Sequence, residues 1–315
     1  MIDFASLGYT KPLYILPFDH RATFAKKMFG RSSISQLSPE EKEAIREFKM
    51  LIYKGFKDAV EKLIPTDSAA ILCDEEFGSE ILFDALHNGF ITLLPVEKSG
   101  QTEFDFEYPE FIGHIEKFNP AFVKALVKFN PQDVDDLKQR QKAKLKILSD
   151  YCHENYHKFL LEVLIIPTET QLKDVGSQLS FDRKMRPVLA AEVIKEFQGS
   201  GIEPDVWKLE GFDSAEDYKE IIKAIKKDGR INVNLIVLGR GGSAEEVEKW
   251  LEVGEKEEIF EVGGKVEGVI GFAVGRTVFW RAIERFHKGE IGKAEVIQTI
   301  SDNFQNFYKI FTSTS

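Results

Sequence analysis

The sequence predicts an α/β protein, a (β/α)8 TIM barrel formed as a single domain over residues 1–315. Three observations predict this fold. Eight short apolar runs recur along the chain, charged stretches with helical periodicity separate them, and the last two runs end in Gly-Arg strings. Strands alternating with helices in this number, within roughly 300 residues, are typical of such a barrel.

The apolar runs are the predicted strands. Their hydrophobicity is nearly continuous along each run, which is typical of parallel strands that are covered on both faces. They occupy residues 13–18, 69–73, 91–94, 122–127, 159–166, 206–209, 233–238 and 269–274.

The stretches between the runs predict helices. Ser38, Pro39 and Glu41 form a helix-start signal, with Ser at the N-cap, Pro at the first helical position and Glu at the third. The predicted helices occupy residues 40–63, 131–150, 187–199, 215–227, 244–253 and 277–288.

A doubly wound open sheet is the alternative fold. Such a sheet usually has a glycine-rich phosphate loop after its first strand, whereas Asp19, His20 and Arg21 follow the first run here. The glycines instead follow the last two runs, where barrels hold phosphate, so the pattern favours the barrel. Residues 1–12, the segments 24–40 and 100–120, and the C-terminal tail are expected to be peripheral additions.

The composition excludes several classes of function. Acidic residues outnumber basic residues 52 to 42, and the resulting net charge of −10 argues against nucleic-acid binding through bulk electrostatics. Cys73 and Cys152 form no metal-binding spacing, and the N-terminus lacks the pattern of a signal peptide. No apolar stretch is long enough to cross a bilayer. These features predict a cytoplasmic protein that does not act at a membrane.

Lys208 is a candidate catalytic residue because it lies inside an apolar run. Alternation along a strand places it on the face opposite Trp207 and Leu209, so it points into the barrel if those two pack against helices. Burial disfavours an ammonium, and the neutral amine that results is the form that makes Schiff bases. The alternative is a structural lysine paired with Glu210 or another carboxylate.

Other charged residues in the runs support this interpretation. Lys124 and Lys128 share one strand face, and a second ammonium near Lys208 would make the neutral amine easier to reach. Glu162 lies within another apolar run and needs a partner, which Lys124 or Lys208 could supply. Lysines and a carboxylate in one barrel mouth form an acid–base set. The alternatives are a structural ion pair for Glu162 and a solvated position at the rim for Lys128.

The ends of the last two runs predict a phosphate site. Gly241 and Gly242 allow backbone amides to approach an anion, and a predicted helix begins directly after them. Arg240 and Arg276 can add charge and hydrogen bonds to phosphate oxygens. A sequence without HxH or HExxH pairs predicts no metal centre. His20 is expected to form hydrogen bonds at the first strand end, and Asp74, Glu75 and Glu76 to bind a divalent ion or a lysine such as Lys98.

Strings at the predicted strand ends resemble one protein family. It is the barrel domain fused behind sugar kinase in some myo-inositol catabolism proteins, with 2-deoxy-5-keto-gluconate 6-phosphate aldolase activity. The resemblance covers residues from about 12 to 285. The strings are LPFDHR at 16–21, DEEFG at 74–78, PVEKSG at 95–100, KFNP at 128–131, PDVWKLEG at 204–211 and LGRGG at 238–242.

The order of these elements is also similar, more distantly, to class I tagatose-bisphosphate aldolases and their sulfosugar-phosphate relatives. That resemblance implies that Lys208 forms the Schiff base, that Glu162 and Lys124 assist proton transfer, and that Asp19 contacts the substrate. It further implies that phosphate is held by Gly241, Gly242, Gly275 and Arg276. His20 and Arg240 belong to the inositol-type pattern, so contacts of the tagatose type do not transfer to them.

The leading hypothesis from the sequence is a metal-independent class I aldolase, a lyase that uses no cofactor. It would cleave a phosphorylated ketose or keto-sugar acid and release dihydroxyacetone phosphate. The predicted catalytic residues are Lys208, Glu162, Lys124 and Asp19. The predicted substrate-binding and phosphate-binding residues are Arg240, Gly241, Gly242, Gly275, Arg276, Lys128, His20 and Glu210.

Two other hypotheses remain open. A non-catalytic barrel that binds a sugar phosphate needs the phosphate site and no reactive lysine. A sugar-phosphate isomerase or epimerase needs a base and no Schiff base. The expected partner is a phosphorylated sugar in each case, and the sequence leaves open whether the chain forms a homo-oligomer.

Overall fold

Eight strands close into a barrel in which each strand is parallel to both neighbours and the order round the barrel follows the chain. The computed structural model describes Phe4 and residues 6–238 and 262–313. The predicted (β/α)8 barrel is confirmed. The strands are β1 (Leu13–Pro17), β2 (Ala69–Leu72), β3 (Ile91–Pro95), β4 (Phe122–Lys128), β5 (Lys158–Leu164), β6 (Val206–Glu210), β7 (Asn234–Leu238) and β8 (Val269–Ala273).

Helices surround the barrel and supply its outer layer. They are α1 (Ala22–Phe29), α2 (Pro39–Lys62), α3 (Glu75–His87), α4 (Phe111–Phe118), α5 (Asp135–Glu154), α6 (Glu169–Val175), α7 (Gln178–Lys184), α8 (Arg186–Gly199), α9 (Ala215–Ile225), α10 (Arg276–His287) and α11 (Lys293–Thr312). The predicted start of α2 is confirmed, since Ser38 and Glu41 form a reciprocal capping box. The helix predicted at 244–253 lies outside the described residues.

Two segments expected to be additions contain helices. The segment 24–40 includes most of α1, on which Phe24 is buried against Phe279. The segment 100–120 contains α4, which buries Phe111, Ile115 and Phe118 and connects β3 to β4 as a barrel helix. The helix is only eight residues long, so its apolar stripe is too short to stand out as a periodic pattern.

The ends of the chain are also less peripheral than expected. Leu7 is buried, the Gly8 amide donates to Asp205, and Tyr9 packs against Phe122 with ring centroids 5.1 Å apart. Residues 7–9 therefore cover the amino-terminal end of the barrel. At the other end of the chain, α11 packs against α2 and buries Phe304, so this part of the C-terminal segment belongs to the core.

Side chains of the strands divide between two cores, as the period of a strand requires. One core fills the barrel and includes Ile15, Leu160 and Val206. The other lies between strands and helices and includes Trp207 and Leu209. The alternation within β6 therefore leaves Lys208 in phase with Val206, on the inner face. No helix among the described residues is both long enough and apolar enough to cross a membrane.

Closure of the barrel depends on a glycine in β8. A Cβ at Gly271 would lie 1.8 Å from the Leu13 carbonyl oxygen of β1, which is a backbone atom that cannot move aside. We expect Gly271→Ala to lower the free energy of unfolding by about 3 kcal/mol, at the upper end of overpacking costs. Urea unfolding followed by circular dichroism measures this change.

The matched control is Gly113→Ala in α4, where an added Cβ meets nothing within 4 Å. Glycine is a poor helix former, so this variant should be neutral or more stable by up to about 1 kcal/mol. Equal stability of both variants would contradict the proposed role of Gly271 in closing the barrel.

Candidate active site

A cavity of about 430 Å³ opens at the carboxyl ends of the strands. Its walls come from residues at or just after the ends of β1, β3, β4, β5, β6, β7 and β8. Parallel strands bring these positions to one end of the barrel, which is where barrel enzymes carry their chemistry. Lys208, Lys124 and Glu162 lie side by side in it.

The register of β5 and β6 brings Lys208 to Glu162. The two residues are direct partners across the parallel pair, and the Lys208 Nζ donates to Glu162 Oε2 at 2.9 Å. Both side chains are more than nine-tenths buried. The sequence left open whether Lys208 pairs with Glu210, and the structure shows that Glu162 is its partner.

Lys124 of β4 is the centre of the charge network. Its Nζ lies 3.1 Å from Glu162 Oε2 and 3.3 Å from Asp19 Oδ2, and it also contacts Oε1 of Glu97. Burial alone would lower the pKa of Lys124, but the carboxylates of Glu162, Glu97 and Asp19 outweigh it and raise that pKa above its usual value. Lys124 is therefore a fixed cation that holds three carboxyls together.

The carboxyl groups around Lys124 differ in their protonation. Burial would raise the pKa of Asp19 and of Glu162, but the neighbouring cations, chiefly Lys124 and also Lys208, together outweigh it, so each pKa lies below its usual value and both groups are carboxylates. Burial raises the pKa of Glu97, and the attraction of Lys124 opposes this only in part. The site thus contains two firmly ionised carboxylates and a third carboxyl that takes up a proton more readily.

The first turn of α10 forms the anion-binding side of the cavity. Gly275 is its N-cap and Arg276 its first residue, and both line the cavity. A Cβ at Gly275 would lie 2.2 Å from the Pro17 carbonyl oxygen, so only glycine allows the helix to start this close to β1. Burial lowers the pKa of Arg276 from its usual value, but a guanidinium stays charged at neutral pH. Arg276 makes no ion pair with another described residue.

The remaining predicted binding residues have different positions. Lys128 and His20 line the cavity. Glu210 does not line its described part, since its Oε1 lies 3.1 Å from Nη1 of the buried Arg186 at the start of α8. The strand alternation alone did not predict this partner. Arg240, Gly241 and Gly242 lie outside the described residues.

Asp74 and Glu75 have structural partners. Asp74 caps α3 by accepting from the Phe77 amide and pairs with Lys49, a lysine of α2 that is fully buried. Glu75 contacts His114 at 2.6 Å. The partner of Asp74 is therefore Lys49, and Lys98 points into the barrel mouth instead.

Two residues of this site were missed by the sequence reasoning as functional candidates. Glu97 and Arg21 line the cavity and are 5% and 4% exposed. Both occur in strings at predicted strand ends, but a charged residue just beyond a strand is ordinarily solvated. Their burial distinguishes Glu97 and Arg21 from ordinary solvated charges at strand ends. This burial depends on the loop from 97 to 110, which folds back over the barrel.

His20 is expected to be a neutral imidazole at physiological pH. Burial lowers its pKa to about 4, although Asp19 acts in the opposite direction. Since the unfolded chain binds this proton more tightly, with a pKa of about 6.5, the contribution of His20 to stability is lost as the pH falls from 6.5 through 4. An NMR titration of the His20 ring, assigned through His20→Gln, should have its midpoint near pH 4. A midpoint at pH 6 or above would contradict this environment.

Comparison with solved structures finds chains that share this fold. An archaeal fructose 1,6-bisphosphate aldolase shares 12% identity over 94% of each chain, with a TM-score of 0.53. A Schiff-base-forming fructose-1,6-bisphosphate aldolase shares 11% identity over 92% of this chain and 93% of its own, with a TM-score of 0.50. The protein Cgl0159 of Corynebacterium glutamicum shares 13% identity over 96% of this chain and 90% of its own, with a TM-score of 0.55.

These identities establish a shared fold and nothing finer. A comparison with curated proteins finds no significant match. A protein-family model matches residues 7–315, and its description is "Uncharacterized protein conserved in bacteria (DUF2090)". Because the match covers almost the entire chain, the protein belongs to the DUF2090 family.

Proposed function

We propose that this protein is a class I aldolase that cleaves a phosphorylated ketose or keto-sugar acid and releases dihydroxyacetone phosphate. The observation that carries the proposal is the buried Lys208 amine, which lies 2.9 Å from Glu162 at the bottom of a cavity with a cationic rim. Two structural neighbours are fructose 1,6-bisphosphate aldolases, and the resemblance to inositol-type aldolases points to the same kind of reaction.

Glu162 is suited to prepare Lys208 for attack. Its Oε2 already accepts a hydrogen bond from the Lys208 Nζ, so transfer of that proton leaves a neutral amine. Addition of the amine to the substrate carbonyl, followed by loss of water, forms an iminium ion on Lys208. Lys124 stays cationic beside Glu162 and stabilises its ionised state, which is the form that accepts the proton. The protonated Glu162 then returns this proton to the hydroxyl that leaves as water.

The same groups can assist cleavage of the C–C bond. A carboxylate, Glu162 or Asp19, removes the proton of the hydroxyl on the far carbon of the scissile bond, and an aldehyde leaves. The bonding electrons pass into the iminium, which becomes an enamine on Lys208. Protonation of the enamine carbon and hydrolysis then release dihydroxyacetone phosphate and free lysine. No metal or cofactor takes part in this sequence as proposed.

The phosphate group is assigned to the start of α10. Arg276 supplies a charge that forms no ion pair with a described carboxylate, and the first turn of the helix supplies backbone N–H groups. Arg240, Gly241 and Gly242 remain predicted phosphate ligands from the sequence. Lys128 lies on the opposite side of the mouth, at the end of β4, and is assigned to a polar or anionic group at the other end of the substrate.

Borohydride trapping tests the proposal directly. Reduction of the protein with dihydroxyacetone phosphate present should add the mass of one reduced adduct, and peptide mapping should place it on Lys208. A coupled assay with a panel of ketose phosphates and phosphorylated keto-sugar acids then identifies the substrate by its release of dihydroxyacetone phosphate.

The same measurements separate the alternatives. A non-catalytic sugar-phosphate barrel would bind phosphate esters equally well after Lys208→Ala and would turn over none of the panel. An isomerase or epimerase would convert a sugar phosphate and would be insensitive to borohydride. Either result would overturn the aldolase proposal.

A further inference from the structure

Three buried polar atoms lack partners on one side of the cavity. They are Nδ1 of His20, Nε of Arg21 and Oε2 of Glu97, none of which has a hydrogen-bond partner among the described residues. All three residues line the cavity at the ends of β1 and β3. We call this set the β1–β3 corner. A buried polar atom without a partner destabilises the protein, so a ligand group that pairs with these atoms is favoured.

The Glu97 backbone is fixed by contacts on several sides. Arg21 Nη2 donates to the Glu97 carbonyl oxygen at 2.9 Å, and Arg21 Nη1 donates to Glu107 Oε2 at 2.8 Å. The same Glu107 oxygen accepts from the Ser99 amide at 2.9 Å. The loop that begins at Glu97 is thus tied to Arg21, just after β1. The Glu97 carboxyl contacts Lys124 through Oε1, which leaves Oε2 without a partner among the described residues.

The chemistry of the corner suits a hydroxyl group and disfavours an anion. Glu97 and Asp19 both contact Lys124, so their charges already neutralise it, and a phosphate or carboxylate next to them would be repelled. An acceptor such as Glu97 Oε2 matches a hydroxyl proton, and a donor such as Arg21 Nε matches a hydroxyl oxygen. His20, with its low pKa, adds a neutral ring that can donate or accept.

Placement of the substrate indicates which hydroxyl is involved. If the phosphate binds at Arg276 after β8 and the carbonyl carbon is bonded to Lys208 of β6, the same direction round the barrel leads the third carbon of dihydroxyacetone phosphate toward Lys124 of β4. Lys124 directly contacts Glu97. The hydroxyl on that third carbon is the polar group of this half of the substrate that still needs a partner.

We propose that the β1–β3 corner recognises the free hydroxymethyl group of the dihydroxyacetone phosphate half, with Glu97 Oε2 accepting its proton in a hydrogen bond. This assignment rests on the proposed aldolase function and names the group that the site selects for. Glu97 is then a specificity-determining residue, and ketone phosphates that lack this hydroxyl bind poorly.

The test compares two ketone phosphates that differ in one hydroxyl. Borohydride-trapped adduct is measured by intact mass against the concentration of dihydroxyacetone phosphate or of acetol phosphate, which lacks the hydroxyl on the third carbon. If the hydroxyl forms a buried hydrogen bond to a carboxyl, the wild type should reach half-saturation at a concentration of dihydroxyacetone phosphate about 10-fold to 100-fold lower than that of acetol phosphate. Glu97→Met should reduce this preference to less than about 3-fold, and Glu97→Gln, which keeps an acceptor oxygen, should retain most of it.

Two further variants keep the result unambiguous. Glu97→Asp preserves the charge beside Lys124 but withdraws the carboxyl, so it should lose the preference even if the methionine variant does not fold. Glu103→Met changes a partly exposed glutamate of the same loop, which pairs with Arg140 and does not line the cavity, and should leave the preference unchanged.

The outcomes separate this inference from the function on which it rests. Suppose that the wild type forms an adduct with dihydroxyacetone phosphate. The role of Glu97 alone is then overturned if the wild type does not prefer this compound over acetol phosphate, or if folded Glu97→Met and Glu97→Asp keep the preference. The absence of any wild-type adduct overturns the aldolase proposal and this assignment together.

Discussion

Replacing Lys208 by methionine is expected to abolish carbon–carbon bond cleavage, with kcat/KM reduced at least about 10⁴-fold. Methionine keeps the length of the side chain and removes the only group in the proposed mechanism that can become covalently bound to the substrate. Borohydride with dihydroxyacetone phosphate should then leave the mass of the protein unchanged.

The fold should tolerate this change. Glu162 loses one of its two ammonium partners but keeps Lys124 at 3.1 Å, so no buried carboxylate is left unpaired. We therefore expect the free energy of unfolding to fall by only about 1 kcal/mol, the size of a single net hydrogen bond.

Two variants test whether activity is lost because the nucleophilic amine of Lys208 is lost. Lys208→Arg restores a positive charge beside Glu162 but cannot form an iminium ion at neutral pH, so it should be as inactive as Lys208→Met. Lys144→Met makes the same substitution at an α5 lysine that pairs with Asp105 outside the cavity and should retain wild-type activity. Turnover within 10-fold of wild type in Lys208→Met, or an adduct on another lysine, would refute the role of Lys208.

Replacing Lys124 by methionine is expected to have the largest effect on stability. The substitution leaves the carboxyls of Asp19, Glu97 and Glu162 close together in a buried site without the ammonium that all three contact. Breaking a buried charge set by removing one member costs about 3–5 kcal/mol. Urea unfolding at pH 8 measures this loss.

The loss should depend on pH with a definite sign. Lys124 lowers the pKa of Asp19 and Glu162 in the wild type, so without it these pKa values rise toward or above their unfolded values. A carboxyl whose pKa is raised by folding contributes stability at low pH and loses it as the pH rises through that pKa. Lys124→Met should therefore be less destabilised at pH 5 than at pH 8.

A second substitution supplies the control. Adding Glu97→Gln to Lys124→Met removes one of the uncompensated carboxyls, so the double variant should regain part of the lost stability at pH 8. A destabilisation below about 1 kcal/mol, or one that is equal at pH 5 and pH 8, would show that Lys124 does not hold the carboxyls together.

The barrel itself was predictable because burial of the strands on both faces is visible in their amino-acid composition. A parallel strand is covered by helices on one face and by the barrel interior on the other, so a run such as 159–166 is apolar almost throughout. A lysine or glutamate within such a run is conspicuous. Lys124, Lys208 and Glu162 could therefore be found as candidates before any contact was known.

Other features depend on contacts between segments far apart in the chain. Glu210 follows the alternation of β6, yet it pairs with Arg186 and does not line the described cavity. Lys49 lies on a long helix rich in charge, where a solvated lysine is the ordinary expectation, but it is buried against Asp74. Periodicity gives the direction of a side chain relative to its own element and contains no information on the partner opposite it.

The sequence alone thus determined the architecture and the identity of the inward-facing charges, because burial on both faces of a strand leaves a pattern in the residues of that strand. Only the tertiary structure decided how those charges combine. It paired Lys208 with Glu162 through the register of β5 and β6, centred three carboxyls on Lys124, and brought Glu97 into the cavity by folding the 97–110 loop over the barrel and tying it to Arg21. Those arrangements depend on the spatial positions of residues that are distant in sequence, which only closure of the barrel establishes.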